Sequence, residues 1–131
     1  MAHADAKRPD VGLVDYGNWT IEGGYQAGAR LLNRDAQIDA FFVANDLMAV
    51  GVMDAVREHG LEIPRDVSIV GYDDVPIALA TRPALTTIKL PNYDMGYAAC
   101  NLLIDKIEGN DTDDLVHEYD CKLVIRDSCG A

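Results

Sequence analysis

Three short clusters of polar and aromatic residues carry side chains suited to binding a small molecule. In chain order they are Tyr16 with Asn18 and Trp19, then Asn45 with Asp46, and then Asp73 with Asp74. Carboxylates accept hydrogen bonds from hydroxyl groups, and an asparagine side chain both donates and accepts. An aromatic ring stacks on the apolar face of a sugar or a base. The three clusters together therefore suit a polyhydroxylated or heterocyclic ligand.

The same clusters lack the groups that catalysis usually requires. The three histidines, His3, His59 and His117, all lie elsewhere in the sequence. No Ser–His pair, glycine-rich phosphate loop or metal-ligand spacing is visible. The pattern favours a binding protein over an enzyme, and it calls for no metal and no organic cofactor.

Each candidate residue also has a purely structural interpretation. Either Asn45 or Asp46 can instead cap the helix that follows it. Asp73 and Asp74 can be ordinary turn residues. Trp19 can belong to a core or to an interface. Convergence of all three clusters on one part of the fold is what would favour binding.

The elements around the clusters alternate between strand-like and helical patterns. Apolar runs predict strands over 11–15, 40–44, 67–72, 85–90 and 118–126. Periodicity predicts helices from residue 21 onward with Thr20 as cap, over 47–59 and over 93–108, with a short helix or turn at 76–83. Residues 40–74 therefore read as a right-handed strand–helix–strand unit. The fold class is α/β, with a mostly parallel sheet and flanking helices.

A parallel sheet would bring the three clusters to one edge. Ligands of open α/β sheets bind outside the carboxyl ends of the strands. Each cluster directly follows one predicted strand, and the uninterrupted run 40–44 is typical of a strand buried on both faces. We therefore expect Trp19, Asn45 and Asp73 to share a rim, because the strands before them run in the same direction.

The length and the charge of the chain exclude further classes of function. The 131 residues make about one domain, with 1–10 as a leader and 11–131 as the folded part. With 22 acidic and 11 basic residues, the net charge of −11 argues against a stand-alone nucleic-acid binder. No apolar run has the length of a membrane span, and no signal peptide is visible. Three cysteines without a Cys-x-x-Cys pair fit a reducing cytoplasm.

Several segments resemble the lactose-repressor/galactose-repressor (LacI/GalR) family of transcription regulators. The main ones are Phe42-Val-Ala-Asn-Asp-Leu-Met-Ala-Val-Gly51, Ile63-Pro-Arg-Asp-Val-Ser-Ile-Val-Gly-Tyr-Asp-Asp74 and Pro83-Ala-Leu-Thr-Thr-Ile88. Met95-Gly96 with its Ala-Leu-rich helix and the closing Leu123-Val-Ile-Arg-Asp-Ser128 are also similar. The resemblance covers residues 10–129 in the order that the family has them.

The resemblance implies a periplasmic-binding-protein-like core of two α/β lobes with an effector in the cleft. Residues 11–131 would be the C-terminal lobe, which contacts a sugar or sugar-like effector through Trp19, Asn45 and Asp73. Asp73 is preferred over Asp74 because the first acid after the tyrosine usually faces the cleft. Asp46 would be the helix-capping partner. Leu90 stands where the family often has a polar contact.

The resemblance also predicts partners. DNA would be bound only through a helix-turn-helix domain that this sequence lacks, in the manner of a repressor. The helix in 92–109 packs on the first lobe in the family, through a face predicted to hold Met95, Ala98, Ala99, Leu102 and Leu103. Without that lobe, the exposed apolar face predicts a homodimer, with domain swapping as one form.

Two other functions remain open from the sequence. One is a fragment of a transport-type sugar-binding protein on the same fold. The other is a Mg²⁺-dependent phosphoryl-transfer domain, since paired carboxylates at strand ends can hold that ion. No Asp-x-Asp motif follows the first predicted strand, which disfavours the enzyme.

Overall fold

Helices and strands alternate along the chain in this computed structural model, which describes residues 13–34, 37–110 and 116–130. The elements are α1 (Ile21–Arg34), β1 (Ala40–Phe42), α2 (Asp46–Glu58), β2 (Ser68–Asp73), α3 (Ile77–Ala80), β3 (Thr86–Lys89), α4 (Asn92–Ile107) and β4 (Lys122–Val124). A 3₁₀ turn over Asp127–Cys129 follows. Among the helices of the described ranges, none combines the length and the hydrophobicity of a membrane span.

The four strands form one sheet in the order β1-β2-β3-β4. Strands β1, β2 and β3 are parallel, and β4 pairs antiparallel with β3. The α/β class and the mostly parallel sheet are therefore confirmed. The C-terminal turn is hydrogen-bonded to two strands of the sheet, because Ser128 Oγ donates to the Ile69 carbonyl and accepts from the Thr86 amide at 2.9 Å.

Helix α2 lies at the centre of the core. Its apolar residues Ala49, Met53, Ala55 and Val56 are fully buried. Helix α1 packs along it at backbone contact, and a Cβ atom at Gly51 would overlap the Ile21 carbonyl oxygen. Glycine is therefore required in this turn of α2, since any side chain would push the two helices apart.

Helix α4 behaves differently, because none of its residues is buried. Tyr93 and Tyr97 stack on each other with ring centroids 6.4 Å apart, and both are exposed. The face predicted to be buried is not covered within the described chain. Ala98 and Leu102 on that face are half-buried, and its remaining members are exposed: Met95, Ala99 and Leu103.

The prediction of a first strand over 11–15 is wrong for residues 13–15, the part that the structure describes. Residues 11 and 12 lie outside the described ranges, and residues 13–18 form no strand. Asp15 instead forms an ion pair with Arg30 of α1 at 2.9 Å, so this segment is tied to a helix rather than to the sheet. The hydrogen bond from Arg30 lowers the pKa of Asp15 to about 2.

The run 40–44 was expected to be a strand buried on both faces, and this is also wrong. Strand β1 ends at Phe42, whose side chain is 68% exposed. The cause is its place in the sheet: β1 is an edge strand of the four that the structure describes. Only Val43, just beyond it, is buried in the core.

Candidate functional site

The register of the parallel strands places Asn45 and Asp73 at one edge of the sheet. Phe42 of β1 is paired with Val70 of β2. Asn45 and Asp73 each lie three residues beyond this pair, in strands that run the same way. The structure therefore brings together the candidates that follow the second and third predicted strands.

Asn45 connects this edge to Trp19. Its Oδ1 caps α2 by accepting a hydrogen bond from the Met48 amide at 2.8 Å. Its Nδ2 donates to the Trp19 carbonyl at 3.4 Å. Since no strand in residues 13–18 leads into Trp19, its position comes from α1, where Thr20 Oγ1 caps the helix by accepting from the Gly23 amide at 3.0 Å. The indole is 65% exposed and free to stack on a ligand.

Asp46 is not the helix cap that the family resemblance implied, since Asn45 has that role. The Asp46 carboxylate is fully buried and joins three elements. Its Oδ2 accepts from the Val75 amide at 2.9 Å, and its Oδ1 accepts from Thr87 Oγ1 at 2.6 Å. Gly71 leaves room for it, because a Cβ there would overlap Oδ1. Asp46 therefore fixes the loop after β2 from below the rim.

The two aspartates that end β2 have opposite environments. Asp74 forms ion pairs with Arg126 at 2.5 Å and Lys89 at 3.4 Å. The Arg126 hydrogen bond lowers the pKa of Asp74 below its usual value. The Asp73 carboxylate has no hydrogen-bonding partner in the described chain. Burial, followed by the negative charge of Asp46, raises the pKa of Asp73.

Backbone strain concentrates at this rim. Three non-glycine residues in the described ranges have positive φ, namely Trp19 at 65°, Asp73 at 109° and Asp74 at 55°. Such conformations cost energy for residues with a Cβ and persist only where neighbouring contacts enforce them. All three strained residues belong to the clusters that the sequence singled out, which is typical of a functional site.

An apolar cavity of about 460 Å³ adjoins the rim on the Trp19 side. The segment from Val14 to Trp19 forms one wall, and Phe42, Val43 and Met48 contribute to the other. The rim therefore offers a carboxylate, an amide and an indole next to apolar surface. This combination can accept hydrogen bonds from hydroxyl groups and stack against a ring.

The described residues hold no group of three or more His, Cys, Asp or Glu side chains placed to bind a metal ion. Two residues of the site were not predicted from the sequence: Arg126 and Thr87, which hold Asp74 and Asp46. Thr87 lies in the predicted strand 85–90, where a hydroxyl in an apolar strand signals a buried polar partner. Arg126 gave no comparable signal, because its contact spans the sequence from the end of β4 to the end of β2.

Comparison with known proteins gives one consistent result. The chain matches the family described as periplasmic binding protein-like domain over residues 4–129. The HTH-type transcriptional regulator CelR of Thermobifida fusca is 36% identical over 119 residues, which cover 91% of this chain and 35% of CelR.

Solved structures agree. The transcriptional regulator CelR-cellobiose complex matches with a TM-score of 0.87 and 36% identity, over 92% of this chain and 37% of that one. The lac repressor dimer bound to operator and the anti-inducer ONPF matches with a TM-score of 0.77 and 34% identity, over 88% and 34% of the two chains. The chain thus spans about a third of the length of these relatives.

Proposed function

The chain belongs to the LacI family of transcriptional regulators and corresponds to part of their effector-binding core, and we propose that residues 11–131 form the C-terminal, effector-sensing lobe of such a regulator. The effector is a sugar or a sugar-like metabolite. Trp19 stacks on its ring, while Asn45 and Asp73 bind its hydroxyl groups. The single observation that supports this most is the common rim, where the Asn45 amide lies between two residues on strained backbone: Trp19 with its exposed indole, and Asp73, whose carboxylate has no partner in the described residues.

Asn45 and Asp73 have complementary parts in this proposal. The side-chain carbonyl of Asn45 accepts the cap bond of α2 and one N–H of its amide group donates to the Trp19 carbonyl, so the second N–H is the donor for a hydroxyl oxygen. Asp73 accepts hydrogen bonds, and two neighbouring hydroxyls of a sugar match the two oxygens of one carboxylate. The ligand acts by population shift, since it stabilises the lobe arrangement that it binds better and so changes DNA affinity.

DNA binding in this proposal belongs to a helix-turn-helix domain outside these 131 residues, and the parent protein acts as a cytoplasmic repressor. The relatives are transcription regulators, which favours a non-enzymatic role over phosphoryl transfer and over transport. The chain itself self-associates as a homodimer through α4, with exchange of a segment between copies as one form.

Thermal melting tests the ligand class directly. The wild-type chain is melted with cellobiose, with a panel of pentoses and hexoses, and with MgCl₂. A sugar present at ten times its dissociation constant adds about 1.4 kcal/mol of stability, which raises the melting temperature by about 4 °C. We expect this rise with at least one sugar and none with MgCl₂.

Two variants make the experiment specific to the rim. Asp73→Asn removes the free carboxylate and should abolish the sugar-dependent rise. Asp94→Asn, on the exposed first turn of α4, removes one carboxylate elsewhere and should leave the rise unchanged. A rise with MgCl₂ alone, or an equal sugar response in Asp73→Asn, would contradict the proposal.

A further inference from the structure

We infer that Arg126 is a positioning residue for the effector site: by holding Asp74, it keeps the end of β2 in the conformation that leaves the Asp73 carboxylate free for a ligand. The inference rests on the proposed function for the role of Asp73. Arg126 lies far from Asp74 along the chain and controls the rim without touching the ligand.

The contacts of Arg126 join the residue that follows β2 to the start of β3. Its Nη2 donates to Asp74 Oδ1 at 2.5 Å, and its Nη1 donates to the Leu85 carbonyl at 2.7 Å. Its backbone amide donates to Thr86 Oγ1 at 2.9 Å. The Arg126 and Asp74 side chains are only 12% and 11% exposed, so solvent screens their ion pair weakly. The guanidinium is therefore held by two hydrogen bonds and the backbone of Arg126 by a third, which keeps Asp74 in one place.

Asp74 needs such a restraint because it directly follows Asp73 and, like Asp73, has an energetically unfavourable backbone conformation. Asp73 and Asp74 are consecutive non-glycine residues with φ values of 109° and 55°. Each left-handed residue of this kind costs on the order of 1–3 kcal/mol. The chain is pinned on both sides of them, by the pairing of Asp73 with Lys89 and by the bond from the Val75 amide to Asp46. The Arg126 contact acts between these two anchors, on the side chain of Asp74 itself.

The two aspartates therefore have different roles in this arrangement. Asp74 forms ion pairs with two cations, Arg126 and Lys89, whereas Asp73 has no such partner among the described residues. If Arg126 were absent, the strained pair would relax toward extended backbone. Relaxation would turn the Asp73 side chain away from its present direction, so the ligand would lose its carboxylate.

The test combines a conformational measurement with a binding measurement on the 131-residue chain. Arg126→Met removes the guanidinium, and Arg126→Lys keeps the charge with one ammonium group. Three-bond amide-to-Hα couplings of residues 73 and 74 report φ without any ligand. We expect both couplings to rise toward extended values in Arg126→Met and to return part of the way in Arg126→Lys. Arg65→Met, in an exposed ion pair with Glu62 and Asp66, should leave them unchanged.

Affinity for the sugar found by melting should fall by about tenfold in Arg126→Met and stay the same in Arg65→Met. Failure of the proposed function would appear as no sugar binding by the wild type, whereas the couplings still test the positioning role. If Arg126→Met does not fold, Asp74→Ala removes the acceptor of the same contact from the other end and leaves the other bonds of Arg126 in place. Unchanged couplings at residues 73 and 74 in a folded variant would overturn the inference.

Discussion

Helices α2 and α4 have similar lengths and similar shares of apolar residues, yet only one of them has a core around it. Helix α2 has 13 residues, eight of them buried, and α4 has 16 residues with none buried. The difference lies in their surroundings. Helix α2 has a side-chain cap in Asn45 and a glycine that admits α1 at backbone contact, whereas α4 has no side-chain cap and no residue buried by the rest of the described chain. Apolar composition therefore predicts that a helix forms, but not what covers it.

The glycine of α2, Gly51, and the glycine of α4, Gly96, offer the largest expected contrast. Gly51→Ala places a methyl group against the backbone of α1 and should cost about 3 kcal/mol or more. Gly96→Ala in α4 has open space around it and should stabilise the helix by up to about 1 kcal/mol. Urea denaturation of both variants measures the two effects. Equal losses of stability would show that α4 is packed as closely as α2.

The acidic residues in the first turns give the second contrast. Asp46 in α2 is buried and accepts two hydrogen bonds, and Asp94 in α4 is exposed. Asp46→Asn replaces one acceptor oxygen with a donor group, so we expect a loss of about 2 kcal/mol. Asp94→Asn should cost less than about 1 kcal/mol, the helix-dipole contribution. A small loss for Asp46→Asn in the same denaturation series would contradict the role assigned to it.

The third prediction concerns self-association of the chain through the exposed face of α4. Leu103 and Ile107 are 61% and 76% exposed and lie one turn apart. If α4 pairs with a second copy, the double substitution Leu103→Lys with Ile107→Lys should convert the dimer to a monomer. Leu79→Lys, at an exposed leucine of α3, should leave it dimeric. Sedimentation velocity gives the masses. A monomeric wild type would contradict self-association through α4.

The pH dependence of stability gives the smallest effect and separates the two aspartates of the rim. Burial raises the pKa of Asp73 above 3.8, so its protonated form stabilises the fold and this contribution is lost as pH rises through the folded pKa. The hydrogen bond from Arg126 lowers the pKa of Asp74 below 3.8, so its contribution is present above 3.8 and is lost as pH falls through the folded pKa.

Unfolding free energies of Asp73→Asn and Asp74→Asn, measured across acidic pH, check both signs. Asp73→Asn should remove the loss of stability that occurs as pH rises through the pKa of folded Asp73. Asp74→Asn should remove the loss of stability that occurs as pH falls through the pKa of folded Asp74. The same pH profile in both variants would show that the two carboxyls share one environment, contrary to the structure.

The sequence predicted the centre of the fold well because its signals there are local. The strand–helix–strand unit over 40–74 has apolar runs, a capping residue and a glycine at Gly60, and the structure has β1, α2 and β2 within it. The prediction for residues 11–15 failed because an apolar run does not reveal that Asp15 pairs with Arg30 instead of joining the sheet. The predicted burial of α4 failed because burial depends on a partner surface.

The candidate site was predictable only in part, for a similar reason. Asn45 and Asp73 could be placed at one edge because both follow parallel strands. Trp19 does lie beside Asn45, but through the packing of α1 on α2 rather than through a preceding strand. The contacts that fix the rim, from Thr87 and Arg126, join residues 41 and 52 positions apart, and residue spacing carries no information on such pairs.

The most direct test of the proposed ligand site uses the indole of Trp19, because the chain contains a single tryptophan. Its ring N–H gives one resonance in a proton–nitrogen NMR spectrum, which is followed while cellobiose and the sugar panel are added. Our expectation is a saturable shift of this resonance, with accompanying shifts of the Asn45 side-chain amide and the Asp73 backbone amide. Shifts confined to other parts of the molecule, or no shift at Trp19 with any sugar in a folded sample, would contradict it.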